Sequence, residues 1–261
     1  MLYVCRMNSI EEAAKRIFGE RAASYTTSAA HADEQVLARI VELAGPQPHW
    51  MALDIATGTG HTALALAPHV ASVIGFDLTP EMLAEAGKLR AARGVGNVTF
   101  REGDVHALPF PDASFDLVTS RRAPHHFSNI KAALREMRRV LRPGGRLLID
   151  DRSVPEDDFV DACMNELDWY HDESHVRQYR PSEWRTMLGE AGFAIDFAGL
   201  YTKHRPLTSL TKDVRQENVR KIHTRIKALN EQQRQALNLA DVNGELHINH
   251  WYVLLAATRP S

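Results

Sequence analysis

A strand that ends beside a carboxylate and turns through two glycines straight into a helix constrains this chain more than any other feature. Leu53-Asp54-Ile55-Ala56-Thr57-Gly58-Thr59-Gly60-His61 is that segment, and the helix-compatible run Thr62-Ala63-Leu64-Ala65-Leu66-Ala67 follows at once. Glycine lets the backbone turn and lets a ligand approach it closely. The unsatisfied N–H groups at the start of the next helix then point at whatever binds there. Such a loop delivers a nucleotide-like cofactor from a first parallel strand to a helix N-terminus. It does not choose the cofactor, because Gly58-Thr59-Gly60-His61-Thr62-Ala63 also satisfies the dinucleotide pattern G-x-G-x-x-G/A.

From about residue 50 to 150 the chain alternates strand-like and helix-like segments. Short apolar runs predict strands at Trp50–Ile55, Ser72–Phe76, Asn97–Arg101, Phe115–Thr119 and Gly145–Asp150, with helices at His61–Ala67, Pro80–Arg93 and Ile130–Leu141 between them. This alternation requires a parallel sheet with right-handed crossovers. Thr79-Pro80-Glu81 supplies an N-cap, a first-turn proline and an early acid. Arg142-Pro143-Gly144-Gly145 supplies basic residues and a breaker at a helix end. Further on, Ser182–Ala191 predicts a helix, Phe193–Thr202 a strand, Thr211–Leu239 a polar helical stretch broken near Asn230, and Trp251–Thr258 a last apolar strand.

A chain of 261 residues accommodates one well-buried α/β domain with extra elements. The expected division is a helical cap over 1–49, a cofactor-binding core over 50–151, lid insertions over 152–182 and 203–247, and a final strand over 248–258. The lids and the N-terminal stretch are expected to cover the cleft. Apolar content of 44% and charged content of 25% are those of an ordinary globular protein, and a net charge of −2 gives no reason to expect nucleic acid. Two cysteines, Cys5 and Cys163, supply neither a disulfide framework nor a zinc site, which argues for a reducing, cytoplasmic setting. No apolar run approaches the ~18 residues of a membrane span, and the N-terminus lacks a signal-peptide pattern. The expected partner is a small molecule, and nothing opposes a homodimer.

The next two strand ends decide between cofactors. Asp77 closes the second strand, where a carboxylate can accept from both ribose hydroxyls of NAD or of S-adenosylmethionine. Arg101-Glu102-Gly103-Asp104-Val105 closes the third, followed by Ala107-Leu108-Pro109-Phe110-Pro111-Asp112-Ala113-Ser114-Phe115-Asp116-Leu117-Val118. With these segments, and with Gly75–Met82 and Arg135–Gly145, the chain resembles the class I S-adenosylmethionine-dependent methyltransferases. Within that class it is similar to the type 11 group around the ubiquinone/menaquinone-biosynthesis enzymes, over most of residues 50–200.

The resemblance implies a Rossmann-like, doubly wound α/β sheet of seven strands in the order 3-2-1-4-5-7-6, the last antiparallel. It implies S-adenosyl-L-methionine as cofactor. Asp54 would begin the glycine loop and help to hold the methionine end, with Thr57, Gly58 and Gly60 in the same loop. Ala56 stands where the family usually has its first glycine, and its extra methyl is accommodated if φ is negative. Asp77 would bind the ribose and Leu78 would pack on the adenine. Gly103 precedes Asp104, which would accept from the adenine amino group, and the Val105 amide would donate to the ring. Ser120 and Arg121 follow the fourth strand, where the methionyl end meets the acceptor.

Methyl transfer from a sulfonium needs alignment and water exclusion, with a base where the acceptor carries a proton. His125 and His126, in Arg121-Arg122-Ala123-Pro124-His125-His126-Phe127, are the base candidates, His125 the nearer to the cofactor. Tyr170, His171 and His175, in a polar cluster with Asp168, Asp172, Arg177 and Tyr179, could contact an acceptor, as could His31. A solvated face or an internal network is the plainer reading of that cluster, and no metal is expected. The basic stretch Thr211–Leu239 has interleaved acids and no aromatic platform, as in a solvated helix pair. DNA methylation is disfavoured by the lack of an Asn/Asp-Pro-Pro-Tyr/Phe motif, and arsenic methylation by the shortage of thiols. The expected reaction is methylation at oxygen or carbon of a phenolic, quinone-like or other specialised metabolite. A methyltransferase-like fold doing non-methylation chemistry and an NAD-dependent dehydrogenase are the alternatives.

Overall fold

The computed structural model describes residues 2–28 and 31–261. Two helices come first, α1 (Leu2–Thr26) and α2 (Glu34–Ala44). Then β1 (Met51–Ile55), α3 (His61–Leu66), β2 (Ser72–Asp77), α4 (Pro80–Ala92), β3 (Val98–Glu102), β4 (Phe115–Arg121), α5 (Ile130–Val140) and β5 (Leu141–Ser153) alternate as the apolar runs require. The remainder is α6 (Asp158–His171), α7 (Pro181–Glu190), β6 (Ala194–Pro206), α8 (Gln216–Lys227), α9 (Glu231–Ala236), β7 (Ala240–Val242) and β8 (Glu245–Thr258).

The sheet runs β3-β2-β1-β4-β5-β8-β6, with β7 paired to β8 off that path. Strands β1 to β5 pair in parallel, and β8 is antiparallel to both of its neighbours, β5 and β6. The expected order is therefore found, with one strand more than the seven foreseen. Period-two alternation gives the sheet two dry faces. Leu53, Ile55, Val118, Leu147, Ile149, Val253 and Leu255 meet α5 and α7 on one side, around Met137, Trp184 and Leu188. Ala52, Leu117, Leu148, Leu254 and Ala256 meet α2 and α3 on the other, around Ile40, Ala63 and Leu66.

Some boundaries differ from expectation. Helix α5 stops at Val140, and the Arg142-Pro143-Gly144-Gly145 stretch lies within β5, where Leu141 already pairs with Phe115. The polar stretch near the end is two short helices, and Asn230 caps the second: its side chain accepts from the Gln233 amide and the Gln233 side chain accepts from its own. Segments 152–182 and 203–247 pack mainly on one another. Val160, Met164 and Leu167 of α6 meet Leu210, Ile222 and Ile226 in a third apolar cluster. Ala29 and Ala30 of the Tyr25–His31 stretch, and the side chain of Cys5, lie outside the described residues, while Cys163 is free and buried.

Candidate active site

The ends of β1, β2, β3 and β4 open into one cleft, whose free space, mouth included, is about 1020 Å³. Open α/β sheets place ligands outside the carboxyl ends of their strands, where the order reverses. Here the reversal falls between β1 and β4. Asp54, Ala56, Thr57 and Gly58 from the first strand end, Asp77 and Leu78 from the second, Gly103, Asp104 and Val105 from the third, and Arg121 from the fourth all line it.

The glycine loop turns as foreseen, with one difference. Gly58 and Gly60 have φ of 53° and 83°, and Ala56 has φ of 51° rather than the negative value its side chain favours. Left-handed backbone costs a residue with a Cβ roughly 1–2 kcal/mol. The Thr57 amide donates to the Phe76 carbonyl at 3.1 Å and the Gly60 amide to the Thr57 carbonyl at 2.9 Å, which closes the loop. Gly60 itself sits beneath the cleft, where a Cβ would come within 3.1 Å of Phe100.

Each acid is fixed differently. Asp54 is buried, and its two oxygens accept from Thr57 Oγ1 and Thr119 Oγ1 at 2.6 Å each. Burial pushes its pKa up to about 6, against the pull of these hydroxyls and Arg121. Asp77 accepts the Gly58 amide at 2.7 Å and the Thr79 amide at 2.9 Å, so it ties β2 to the glycine loop and to the start of α4. Burial raises it as well. Asp104 takes the amide and the ring Nδ1 of His106 on one oxygen, Oδ1, at 2.9 and 2.6 Å. Its Oδ2 accepts from no described residue. His106 Nε2 accepts the Asn129 amide at 3.2 Å, which leaves the ring proton on Nδ1. Glu11, Asp104 and His106 each bring one ligand-type atom within 4.8 Å of the others, but that tautomer commits Nδ1 to the carboxylate.

Arg121 is a cation of the cleft lining that contacts no carboxylate among the described residues. Its Nε donates to Thr62 Oγ1 at 2.9 Å and its Nη2 to the His31 carbonyl at 2.6 Å, while Nη1 is buried with no partner among the described residues. Its neighbour Arg122 is satisfied by Asp150, by the Tyr201 hydroxyl and by the Tyr252 ring, 3.6 Å below the guanidinium. A buried guanidinium without a carboxylate in contact fits an anionic ligand group. With Asp77 and Asp104 at the neighbouring strand ends and Leu78 and Met82 as apolar surface, the donor set suits a ligand with an amino-acid end and a nucleoside end.

Comparison with known proteins agrees with this layout. The methyltransferase domain family matches residues 53–149. The uncharacterized methyltransferase YcgJ of Bacillus subtilis is 42% identical over 171 residues, spanning 66% of this chain and 68% of its own. Its crystal structure superposes with a TM-score of 0.82 at 33% identity, over 87% of this chain and 99% of the other. The demethylmenaquinone methyltransferase of Thermus thermophilus is 46% identical over 113 residues, 42% of this chain and 51% of that protein. The fold alone is shared with geranyl diphosphate C-methyltransferase from Streptomyces coelicolor, solved with Mg2+, geranyl diphosphate and S-adenosyl-L-homocysteine; identity is 13% and the TM-score 0.60, over 87% of this chain and 79% of that one. The chain belongs to the class I S-adenosylmethionine-dependent methyltransferases.

In this methyltransferase the paired histidines have changed places relative to expectation. His126 lines the cleft and His125 lies behind it. The His125 amide donates to Asp151 Oδ2 at 2.8 Å, and its ring Nδ1 sits 2.6 Å from Oδ1. Its carbonyl accepts the Val176 and Arg177 amides. Burial holds His125 well below its usual range and Asp151 well above, so the pair works as a cross-link between the β4 loop and β5.

Of the remaining candidates, His31 lines the cleft. Its Nδ1 lies 2.9 Å from Ser28 Oγ and its ring 4.5 Å from Tyr25, and burial pushes it down to about 3. Ser120, Tyr170, His171 and His175 do not reach the cleft. Ser120 Oγ is buried without a partner among the described residues. Tyr170 donates to Glu166 at 3.0 Å, His171 Nδ1 to the Leu210 carbonyl at 3.1 Å, and His175 Nε2 pairs with Asn165 at 3.0 Å. The cluster around them is the internal network: Asp161 binds Arg177 and Arg180, and Asp168 binds Arg152. Of the three expected cover segments only the N-terminal one lines the cleft, through Glu11, Ala14, Phe18, Tyr25 and His31. Sequence reasoning missed Glu11, Phe18, His61 and His106. His106 could have been found as a ring two residues after a carboxylate, within reach of its own turn.

Proposed function

We propose that the cleft binds S-adenosyl-L-methionine and that the enzyme transfers its methyl group to oxygen or carbon of a small phenolic, quinone-like or related acceptor. The observation that carries this reading is Arg121: a buried guanidinium whose Nη1 has no partner among the described residues, in the same cleft as Asp54, Asp77 and the open Oδ2 of Asp104. Arg121 would hold the carboxylate of the methionine end, and Asp54 its ammonium. Asp77 would face the ribose, Leu78 and the Val105 amide the adenine ring, and Asp104 Oδ2 the exocyclic amine. The cofactor supplies a methyl group already made electrophilic by its positive sulfur. The protein is left to align the acceptor and exclude water, which proximity makes worth up to roughly 7–11 kcal/mol. Phe18, Tyr25 and Phe127 form apolar and aromatic walls suited to a flat acceptor. His126, facing the cleft, is the base that takes the acceptor's proton.

The test is a panel of phenolic, naphthoquinol and enol acceptors incubated with methyl-labelled cofactor, scored for labelled product and S-adenosylhomocysteine. On an accepted substrate, H126Q is expected to lower kcat by about 10²–10⁴-fold with unchanged cofactor affinity. Label transfer that survives H126Q at full rate would remove the base from this reading.

A further inference from the structure

Behind His126 lies a chain of hydrogen bonds that ends on a buried carboxylate outside the cofactor cleft. His126 Nδ1 is 3.0 Å from Ser174 Oγ. Ser174 is fully buried, and its hydroxyl lies 2.7 Å from Asp172 Oδ1, an oxygen that also accepts the Ser174 amide at 2.9 Å. Asp172 is buried too, fixed where α6 ends by its amide donating to the Asp168 carbonyl at 2.8 Å.

The proton positions follow from what each group can do. An ionised carboxylate only accepts, so the Ser174 hydroxyl proton is committed to Asp172. Its Oγ can then only accept from the imidazole, which puts a proton on His126 Nδ1 and a lone pair on Nε2. His126 Nε2 has no partner among the described residues, and the ring borders the cleft. Burial alone would raise the Asp172 carboxyl. The neighbouring His126 and His171 and the two Ser174 hydrogen bonds outweigh it and hold it below the usual carboxylate range.

We propose that Asp172 and Ser174 are positioning residues that fix His126 as the Nδ1–H tautomer, so that Nε2 presents its lone pair to the acceptor. The proton leaves the acceptor's O–H or C–H for Nε2, and its bonding electron pair stays on the acceptor as the nucleophile. Nδ1–H stays on Ser174 throughout, and the new imidazolium charge is offset by Asp172 one hydroxyl away. The inference rests on the reading of the cleft as a methyl-transfer site. It extends that reading to two residues far enough behind the cleft to touch neither cofactor nor acceptor.

Other groups face this ring as well. His125, from the same loop, packs tilted against it at 4.0 Å between centroids, His175 of the segment after α6 lies at 6.4 Å, and Phe18 of α1 packs edge-on at 5.0 Å. Arg152 of β5 lowers both His125 and His175, and Tyr25 of α1 faces Asp172. Among them Asp172 is the carboxylate linked to His126, so its removal has a defined sign.

The experiment is long-range ¹H–¹⁵N correlation on histidine-labelled full-length protein, with the His126 signals identified by their loss in H126Q. Wild type is expected to show protonated Nδ1 and bare Nε2 in the neutral ring. S174A should move the population toward the Nε2–H form. D172N, which replaces an acceptor-only carboxylate with an amide able to donate to Ser174 Oγ, frees the Ser174 proton for the ring and should move the population the same way. A wild-type ring already protonated on Nε2, or a tautomer indifferent to S174A, would overturn the relay. S-adenosylhomocysteine titration of the same wild-type sample separates the two claims: failure to bind overturns the cofactor reading, whatever the tautomer.

Discussion

At the scale of single residues, the cleft is set by which polar atoms are satisfied and which are left open. Asp54 is the sharpest case, because burial lifts it to about 6 and only its ionised form can hold an ammonium. The sign is fixed: below pH 6 the free protein carries it protonated, and binding must first remove that proton. Cofactor affinity is therefore expected to fall about tenfold from pH 7 to pH 5, one decade per unit below the pKa. Titration calorimetry across that range checks it, and D54N should flatten the profile. Ala56 makes the opposite kind of prediction. Its φ of 51° costs about 1–2 kcal/mol, and glycine returns about 0.4–1 kcal/mol of that as unfolded-state entropy. Ala56→Gly should then stabilise the protein by about 0.5–1 kcal/mol in urea unfolding, and a loss of stability would show that the methyl packs usefully. Asp54 and Asp77 were legible in the sequence as carboxylates at the ends of apolar runs, whereas Asp104, after Arg101-Glu102-Gly103, was singled out only by the family resemblance. The histidine order was not. Pro124–His126 is a single 3-10 turn, in which neighbouring side chains diverge by about 120°, and only the packing of β5 decides which ring looks inward.

At the scale of elements, one carboxylate joins three of them. Asp77 accepts the Gly58 and Thr79 amides, so it belongs to the end of β2, the turn after β1 and the first residue before α4 at once. Asp77→Ala is expected to cost about 1–3 kcal/mol of stability for the stranded amides and to weaken cofactor binding as well. Thermal unfolding and calorimetry on the same variant check both; lost affinity at full stability would confine Asp77 to the ligand. The added strand was readable in retrospect. Asn243 and Gly244 both have positive φ, the two-residue hairpin turn that an Asn-Gly pair favours, and β7 and β8 flank it. It was hidden by the polar helix-prone sequence before it. The packing partners of the two later insertions were hidden for a different reason. Amphipathic helices at α6 and α8 have an apolar face to bury, but their sequence does not say against what, and here they choose each other.

At the scale of the whole molecule, the alternation of strands and helices pointed to a parallel sheet, the family resemblance implied its strand order, and the switch between β1 and β4 sets where the cleft opens. An N-terminal cover was expected from the sequence, but which of its residues form the wall came from the structure: α1, far from the glycine loop in sequence, supplies Glu11, Ala14, Phe18 and Tyr25. No helix among the described residues is long and apolar enough to cross a membrane. In the proposed reading, the cofactor half of the cleft is built by local strand ends and the acceptor half by segments brought from elsewhere in the chain. That division explains why the motifs point to a cofactor and say little about the acceptor. Isothermal titration with S-adenosylmethionine, S-adenosylhomocysteine and NADH tests the central claim most directly. The account predicts micromolar binding of both adenosyl ligands and none of NADH. NADH binding with no response to the adenosyl ligands would contradict it and give the glycine loop to a dinucleotide.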